Sequence, residues 1–283
     1  MSYVKRVRIE LHCHSTHSDG SHAAGEVAKM AARAGVELFC LTDHDTWAGY
    51  EETREVLEGR GVVVLRGMEL SCREFGRTVH LLMYGIQDGP GLEALQRRLD
   101  RVHEDRRSRI TRICARLQQL GVRIDAEAVL AAAEGRVPGR PDVARALVAA
   151  GVCNSPRDAF TRFLRDGGPA DVPIERLSVA DGVALGRAAG ARMSIAHPHT
   201  LGAHHLVREL FVRLRDKGLE GIEAYYGKYA AAETVGWLRL AHELDLVATG
   251  GSDFHGDMSP DVTRPGIELP PARTQAVRQW LAA

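Results

Sequence analysis

The sequence predicts an α/β fold, a barrel of mostly parallel strands with helices outside and a helical subdomain inserted into it. Three observations lead there. Short β-branched or apolar runs alternate with amphipathic stretches through most of the 283 residues, the pattern of repeated βα units. About seven of the apolar runs end in polar, chemistry-bearing residues, as barrel strands do at the C-terminal mouth where such folds place their sites. One stretch, from about 92 to 168, is instead Arg- and Ala-rich, helical in period and almost free of strand signals.

The elements follow in order. VRIELHCH (7–14) reads as a strand, and EVAKMAARAG as a helix closed by Gly35. ELFCLTDHD (37–45) is a second strand, and a helix around YEETREVLEGRG follows it. VVVLRGMELS (62–71) and RTVHLLMYGI (77–86) are two further strands joined by a short turn at Glu74–Gly76. After the helical stretch the alternation resumes. ARMSIAHPH, LEGIEAYYG and LVATGGSDFHG read as strands, each preceded by a helical segment, and the chain ends on RPGIELP and a last helix. Residues 1–91 and 172–283 are thus expected to form the two parts of the barrel, with 92–171 as the inserted subdomain.

Composition narrows the function classes. Apolar residues make up 45% of the chain, enough for a full core, and no apolar run approaches the length of a membrane span. Basic and acidic residues balance at 37 each, and aromatics are 5%. Such a surface is not built to hold duplex nucleic acid by bulk charge, nor to stack bases along a groove. MSYVKRVRIE leads straight into a strand with no signal-peptide pattern. The five cysteines are widely spaced with no CxxC. They support neither a disulfide framework nor a thiolate zinc site, and reduced thiols and a cytoplasmic location are expected.

Histidine is the informative residue. Strand ends carry His12 and His14, then Asp43, His44 and Asp45, then Glu69, then His80, His197 and His199, Glu223, and finally Asp253 with His255. His12 and His14 are two apart, so on a strand both face one side and Cys13 the other. Any one of these residues has an ordinary reading as a hydrogen-bonded core or surface group. Repetition of imidazole and carboxylate at strand after strand points to a polynuclear metal site, with a donor set suited to Mn, Fe or Zn. Within LHCHSTHSDG, spacing alone does not choose between His17 and Asp19 as a further ligand.

HCHSTHSDG, LTDHD, GMELS, TVHLL, AHP and GSDFH, in this order, resemble the motifs of the PHP (polymerase and histidinol phosphatase) family of metal-dependent phosphoesterases. The resemblance runs from Leu11 to His255. It implies a distorted seven-stranded β/α barrel, and it is closest to the branch of 3′,5′-nucleoside bisphosphate phosphatases and 5′-to-3′ exoribonucleases, which also carries a helical insertion after the fourth strand. The SDG of that branch matches Ser18-Asp19-Gly20, which selects Asp19 over His17. The implied metal ligands are His12, His14, Asp19, His44, Glu69, His80, His197, Asp253 and His255, for two or three divalent transition-metal ions, with Glu69 bridging. Glu69, Asp253 and His255 are the implied catalytic residues. Asp43 and Asp45 flank His44 and are expected to orient imidazoles. Paired ions about 3.5–4 Å apart acidify a shared water and hold phosphoryl oxygens for in-line attack.

The insertion is expected to grip substrate. Arg140, in VPGRPDVARALVAAG, resembles the branch's insertion motif, and a guanidinium can hold a second phosphate bidentately. Arg106 and Arg109 also fall where the branch has arginines, in a run of eight from Arg97 to Arg116 that otherwise reads as a solvated helix face. The chain departs from its branch at AHPHT, where His199 and Thr200 replace a small residue and an arginine, and at Asp142 and Asp171. These changes spare the ligands and touch the expected substrate rim, where His199 joins the expected contacts. The expected substrate is a nucleoside 3′,5′-bisphosphate or a short oligonucleotide. Another small phosphomonoester, such as histidinol phosphate or a sugar phosphate, is the alternative, and a non-catalytic PHP module is a third reading.

Overall fold

A computed structural model describes residues 7–283; the reading of the first six residues lies outside them. The strands are β1 (Val7–Glu10), β2 (Val36–Leu41), β3 (Val63–Glu74), β4 (Arg77–Tyr84), β5 (Leu177–Ser178), β6 (Arg192–Ile195), β7 (Leu219–Tyr226), β8 (Val247–Gly251) and β9 (Ile267–Leu269). The α-helices are α1 (Ala24–Arg33), α2 (Tyr50–Leu57), α3 (Pro90–Gln119), α4 (Ala126–Ala131), α5 (Arg140–Ala149), α6 (Pro156–Ala159), α7 (Val179–Ala188), α8 (His204–Leu214), α9 (Ala231–Glu243) and α10 (Pro271–Ala282).

Seven strands follow one another around the sheet in the order β8-β7-β6-β4-β3-β2-β1. The path closes at the mouth, where Cys13 bridges Phe254 in parallel and the Asp253 N–H donates to the His12 carbonyl at 2.7 Å. The seven-stranded barrel expected from the sequence is therefore present, with β9 added antiparallel to β1 and the two-residue β5 added to β3. Within the seven, one strand runs against the rest. β4 is antiparallel to both β3 and β6, because only Phe75 and Gly76 separate it from β3. Both adopt positive φ, 47° and 74°, the conformation a two-residue hairpin turn requires. The mouth therefore meets the beginning of β4, and His80 reaches it from the strand's N-terminal half rather than from a C-terminal end.

Two strands stop earlier than their apolar runs predict. β6 ends at Ile195 and the chain turns into a short 3-10 segment, Pro198–Leu201, so His197 and His199 are not strand neighbours on a common face. β8 ends at Gly251, and Asp253 follows with φ 53°. Outside the barrel, α3, α7, α8 and α9 pack on β3, β4, β6 and β7 through a cluster that includes Leu70, Leu81, Val183, Phe211 and Trp237. A second layer sets α1 and α2 on β2 through Val27, Phe39 and Leu57.

The helical stretch has its own core of Ile110, Ile113, Leu117, Val129, Val143, Leu147, Leu164 and Val172. Each fully buried Leu or Ile of this kind is worth about 1.5–3 kcal/mol. The first half of α3 belongs elsewhere, since Leu95 and Leu99 pack into the barrel's outer layer. α3 is thus a continuous beam, 30 residues long, with one end in each core.

Candidate metal centre

All nine residues named as ligands by the resemblance converge at the mouth. Their donor atoms fall into four overlapping groups, each within 4.8 Å: His14, Asp19, His44 and His255; His12, His14 and Asp253; His12, Glu69 and His197; His44, Glu69 and His80. Glu69, buried in the middle of β3, is the hub. Its Oε1 lies 2.8 Å from His80 Nδ1, 3.1 Å from His197 Nε2 and 3.3 Å from His12 Nε2. Its Oε2 lies 2.9 Å from His44 Nδ1 and 3.2 Å from His14 Nε2. Asp19, not His17, faces the imidazoles, 3.3 Å from His255 Nε2 and 3.6 Å from His44 Nε2.

The cluster fits a set of cations. His12 Nε2, His14 Nε2, His44 Nδ1, His80 Nδ1 and Glu69 Oε2 are buried without a hydrogen-bond partner of proper geometry, despite their proximity. Burying so many unsatisfied polar atoms costs about 1–3 kcal/mol each, so a native cluster of this kind calls for cations to complete it. The donors are all N or O, a set suited to divalent cations.

Electrostatics agree. Burial alone would raise Glu69, but His80, His44 and His12 around it hold its carboxyl well below the usual range. Burial likewise opposes ionisation of Asp19 and Asp253, and the His255 ring, with His44 for Asp19 and His12 for Asp253, overcomes it. His80 goes the other way, to about 4, because burial outweighs Glu69. Three carboxylates stay charged in a buried site, which is a strongly cation-attracting field.

The backbone is bent to make this arrangement. Asp45, His197 and Asp253 all have positive φ, at 54°, 25° and 53°. Non-glycine residues in such conformations cost about 1–3 kcal/mol and persist only where surroundings impose them. For His197 the surroundings are visible. Glu223 Oε2 accepts the His197 N–H at 2.7 Å, while Oε1 accepts from His12 Nδ1 at 2.9 Å. Glu223, which the strand-end pattern groups with the candidate ligands, therefore sits behind them. It fixes the His12 tautomer so that Nε2 offers its lone pair inward.

Asp43 and Asp45 do not orient imidazoles, contrary to expectation. Asp43 accepts from Ser15 N, Ser15 Oγ and Ser18 Oγ, pinning the loop that carries His14 and Asp19. Asp45 accepts the Ser71 N–H at 2.7 Å and pairs with Arg106. Several supporting residues carry no motif signal at all. Tyr226 and Lys228 both donate to Asp253 Oδ2 at 2.7 Å, leaving Oδ1 toward His12 and His14. Glu10 accepts from the N–H groups of His12 and Ser252 at the seam where the barrel closes, and its burial pushes it up to about 7.

The insertion clamps the same loop. Val137 N–H donates to the His17 carbonyl at 3.0 Å, Arg136 reaches the Ser18 carbonyl and Arg145 the Asp19 carbonyl. Asp142, only 5% exposed, holds both of those arginines. Its departure from the branch pattern is thus a buried clamp rather than a change in the substrate rim.

A chamber of about 370 Å³ lies between cluster and insertion, lined by Asp19, His44, His80 and His197 on one side and by Arg106, Arg109, Arg140 and Arg176 among others on the far side. Arg106, Arg109 and Arg140 thus turn toward the site as expected, each with a carboxylate partner: Asp45, Asp171 and Asp166 respectively. Arg140 is also bound to the Leu164 carbonyl at 2.8 Å. His199 is exposed, bonds Tyr229 Oη at 2.9 Å, and lines an adjoining groove with His204 and Trp237 rather than the chamber.

Comparison with known proteins agrees with this geometry. The PHP domain family matches residues 10–146. A phosphoribosyl 1,2-cyclic phosphate 1,2-diphosphodiesterase from Eggerthella lenta is 33% identical, covering 87% of this chain and 94% of that protein. This chain belongs to the PHP family. A 3′,5′-nucleoside bisphosphate phosphatase from Chromobacterium violaceum is 31% identical over 93% of each chain. A solved structure from the same organism, described as an amidohydrolase with bound sulfate and no metal, superposes with a TM-score of 0.84 at 30% identity, covering 95% of this chain and 96% of that one. The protein is accordingly a PHP-type, metal-binding phosphoesterase, a hydrolase. Among the described residues no helix is long and apolar enough to cross a membrane.

Proposed function

We propose that this PHP protein hydrolyses a phosphate ester of a small nucleotide, a nucleoside 3′,5′-bisphosphate or a short oligonucleotide, with two or three Mn, Fe or Zn ions held by His12, His14, Asp19, His44, Glu69, His80, His197, Asp253 and His255. The observation that carries the reading is the junction of a nine-residue N/O cluster with an arginine-lined chamber. A donor cluster alone would bind cations, and a basic pocket alone would bind anions. Together they support a phosphate ester bound between the two.

When bound, the ions would supply Lewis acidity and an acidified water. The chain's residues do the rest. Glu69 presents both oxygens to different imidazoles and so couples the subsites. Lys228 and Tyr226 hold the outer oxygen of Asp253, which keeps its inner oxygen aimed at the cluster. The insertion fixes Asp19 through its clamp on residues 17–19. A chamber of about 370 Å³ admits a small phosphorylated molecule rather than a duplex.

Phosphate release from a panel tests this reading: a nucleoside bisphosphate, a short 5′-phosphorylated RNA, a 1,2-cyclic ribose phosphate, histidinol phosphate and a sugar phosphate. Turnover of the first two should exceed the others. Turnover confined to histidinol or sugar phosphates would replace the nucleotide assignment, and none on any ester in Mn-, Fe- or Zn-loaded protein would remove the hydrolytic one.

A further inference from the structure

Among the arginines that line the chamber, the exposed Arg77 and the half-buried Arg176 make no salt bridge to any described residue, and of the two only Arg176 buries part of its guanidinium without a partner. Arg106, Arg109 and Arg140 each make a salt bridge, to Asp45, Asp171 and Asp166. Arg176, in the VPIERLS segment that precedes α7, makes none with any described residue. Among the described residues its one hydrogen bond runs from Nη1 to Thr78 Oγ1 at 2.9 Å, and its Nε is buried without a partner. A guanidinium offers five donors, so most of this one is unused. Burial, and then repulsion from Arg106 and Arg140, push its pKa down to about 10. It is a cation beside two others, Arg106 and Arg140, with Asp45 and Asp166 near but not bonded to it and most of its donors unspent, which is costly unless an anion completes it.

Its position is equally specific. Thr78 and His80 are two residues apart on β4 and share a face. Arg176 is therefore braced about 7 Å along the strand from a residue of the metal cluster. An anion on Arg176 would be a neighbour of a phosphate on the cluster without occupying it.

We infer that Arg176, braced by Thr78, is the residue that receives the non-reacting anionic group of the substrate, the second phosphate of a bisphosphate or the next phosphate of an oligonucleotide. Arg140, which the family resemblance nominates for that role, is held back by Asp166 and the Leu164 carbonyl and serves the wall of the chamber. The inference rests on the phosphoesterase reading for its substrate but not for its anion site.

Two measurements separate these. In metal-free protein, sulfate binding followed by calorimetry should weaken at least about tenfold in Arg176→Ala, which loses a charged hydrogen bond, and change little in Arg140→Ala. In metal-loaded protein, Arg176→Ala should lower kcat/KM for a nucleoside 3′,5′-bisphosphate by roughly 10–100-fold and for the 3′-monophosphate by less than about threefold. Arg176→Lys should recover part of the loss, since it restores charge without the planar fork. Metal content and Tm in each variant show whether the fold survives. Equal loss on both substrates, unchanged sulfate binding, or a selective loss in Arg140→Ala instead would overturn the assignment. If no ester is hydrolysed by the wild type, the functional reading fails while the sulfate titration still decides Arg176.

Discussion

Replacing Glu223 by Gln is the most informative single perturbation, because it changes one charge behind the cluster and leaves every ligand in place. In the wild type both carboxylate oxygens accept, from His12 Nδ1 at 2.9 Å and from the His197 N–H at 2.7 Å. Gln has one acceptor and one donor. The backbone N–H of His197 cannot change its character, so the amide oxygen must stay there and the amide NH₂ must face His12 Nδ1. His12 then has to accept at Nδ1 and carry its proton on Nε2, the atom that faces Glu69 and Asp253. The lone pair that would bind a cation is gone. Loss of such a partner behind a ligand typically costs about 10–100-fold in metal affinity, equivalent to about 1.4–2.7 kcal/mol. Competition against a chelator of known affinity, with Tm recorded on metal-free protein, measures it. Wild-type metal affinity in Glu223→Gln would refute the argument that Glu223 sets the His12 tautomer.

Other consequences follow from the same geometry. Glu69→Ala and Asp253→Ala should each abolish activity through metal loss while the metal-free proteins stay folded; wild-type turnover in either would remove it from the centre. His17→Ala should retain full metal content, since His17 lies outside every donor group, and an emptied site would reverse the choice of Asp19. Metal affinity should rise steeply with pH. Burial lowers the pKa of His44 and of His255, but Glu69 with Asp19 raises the first to about 8, and Asp19 with Asp253 raises the second to about 9. The stability those two protons lend the metal-free protein is complete below about pH 6.5 and lost as pH passes the raised values. Binding must expel both, and the proton of His12 as well; burial opposes that proton, but Glu223 and Glu69 hold the ring well above the ordinary imidazole range. Log K should therefore climb by at least about two per pH unit up to pH 8 and at least about one from there to pH 9; a flat profile from calorimetric titration would contradict this. Asp142→Ala should lower stability by about 1–3 kcal/mol, since Arg136 and Arg145 are partly solvated and keep their carbonyl contacts, and thermal melting would show it; no change would mean that the clamp on residues 17–19 is not held by Asp142.

The candidate cluster was legible in the sequence because polar residues at the ends of apolar strands stand out, and because the resemblance of HxH and SDG to family motifs marks the residues that the fold brings together. The seven-stranded barrel was legible for the same reason. What hid was whatever depends on tertiary direction. The run TVHLL reads alike in either strand orientation, so the reversal of β4 shows only once Phe75 and Gly76 are seen to make a two-residue turn. AHPH looks like a strand end, yet the chain leaves the sheet at Ile195 and turns at His197. Eight arginines between Arg97 and Arg116 look alike in helical period; the resemblance marks Arg106 and Arg109, and the fold adds that these two meet Asp45 and Asp171 across it. Arg176 carried no signal, because an arginine is marked by the carboxylate it lacks, and a sequence does not show that.

The central claim is that the nine-residue cluster is one polynuclear centre. Crystals of the purified protein reconstituted with manganese, measured at the metal's absorption edge, test it most directly. The account predicts two or three anomalous peaks inside the cluster, with Glu69 touching two of them. A single peak, or peaks that leave Glu69 uncoordinated, would contradict it.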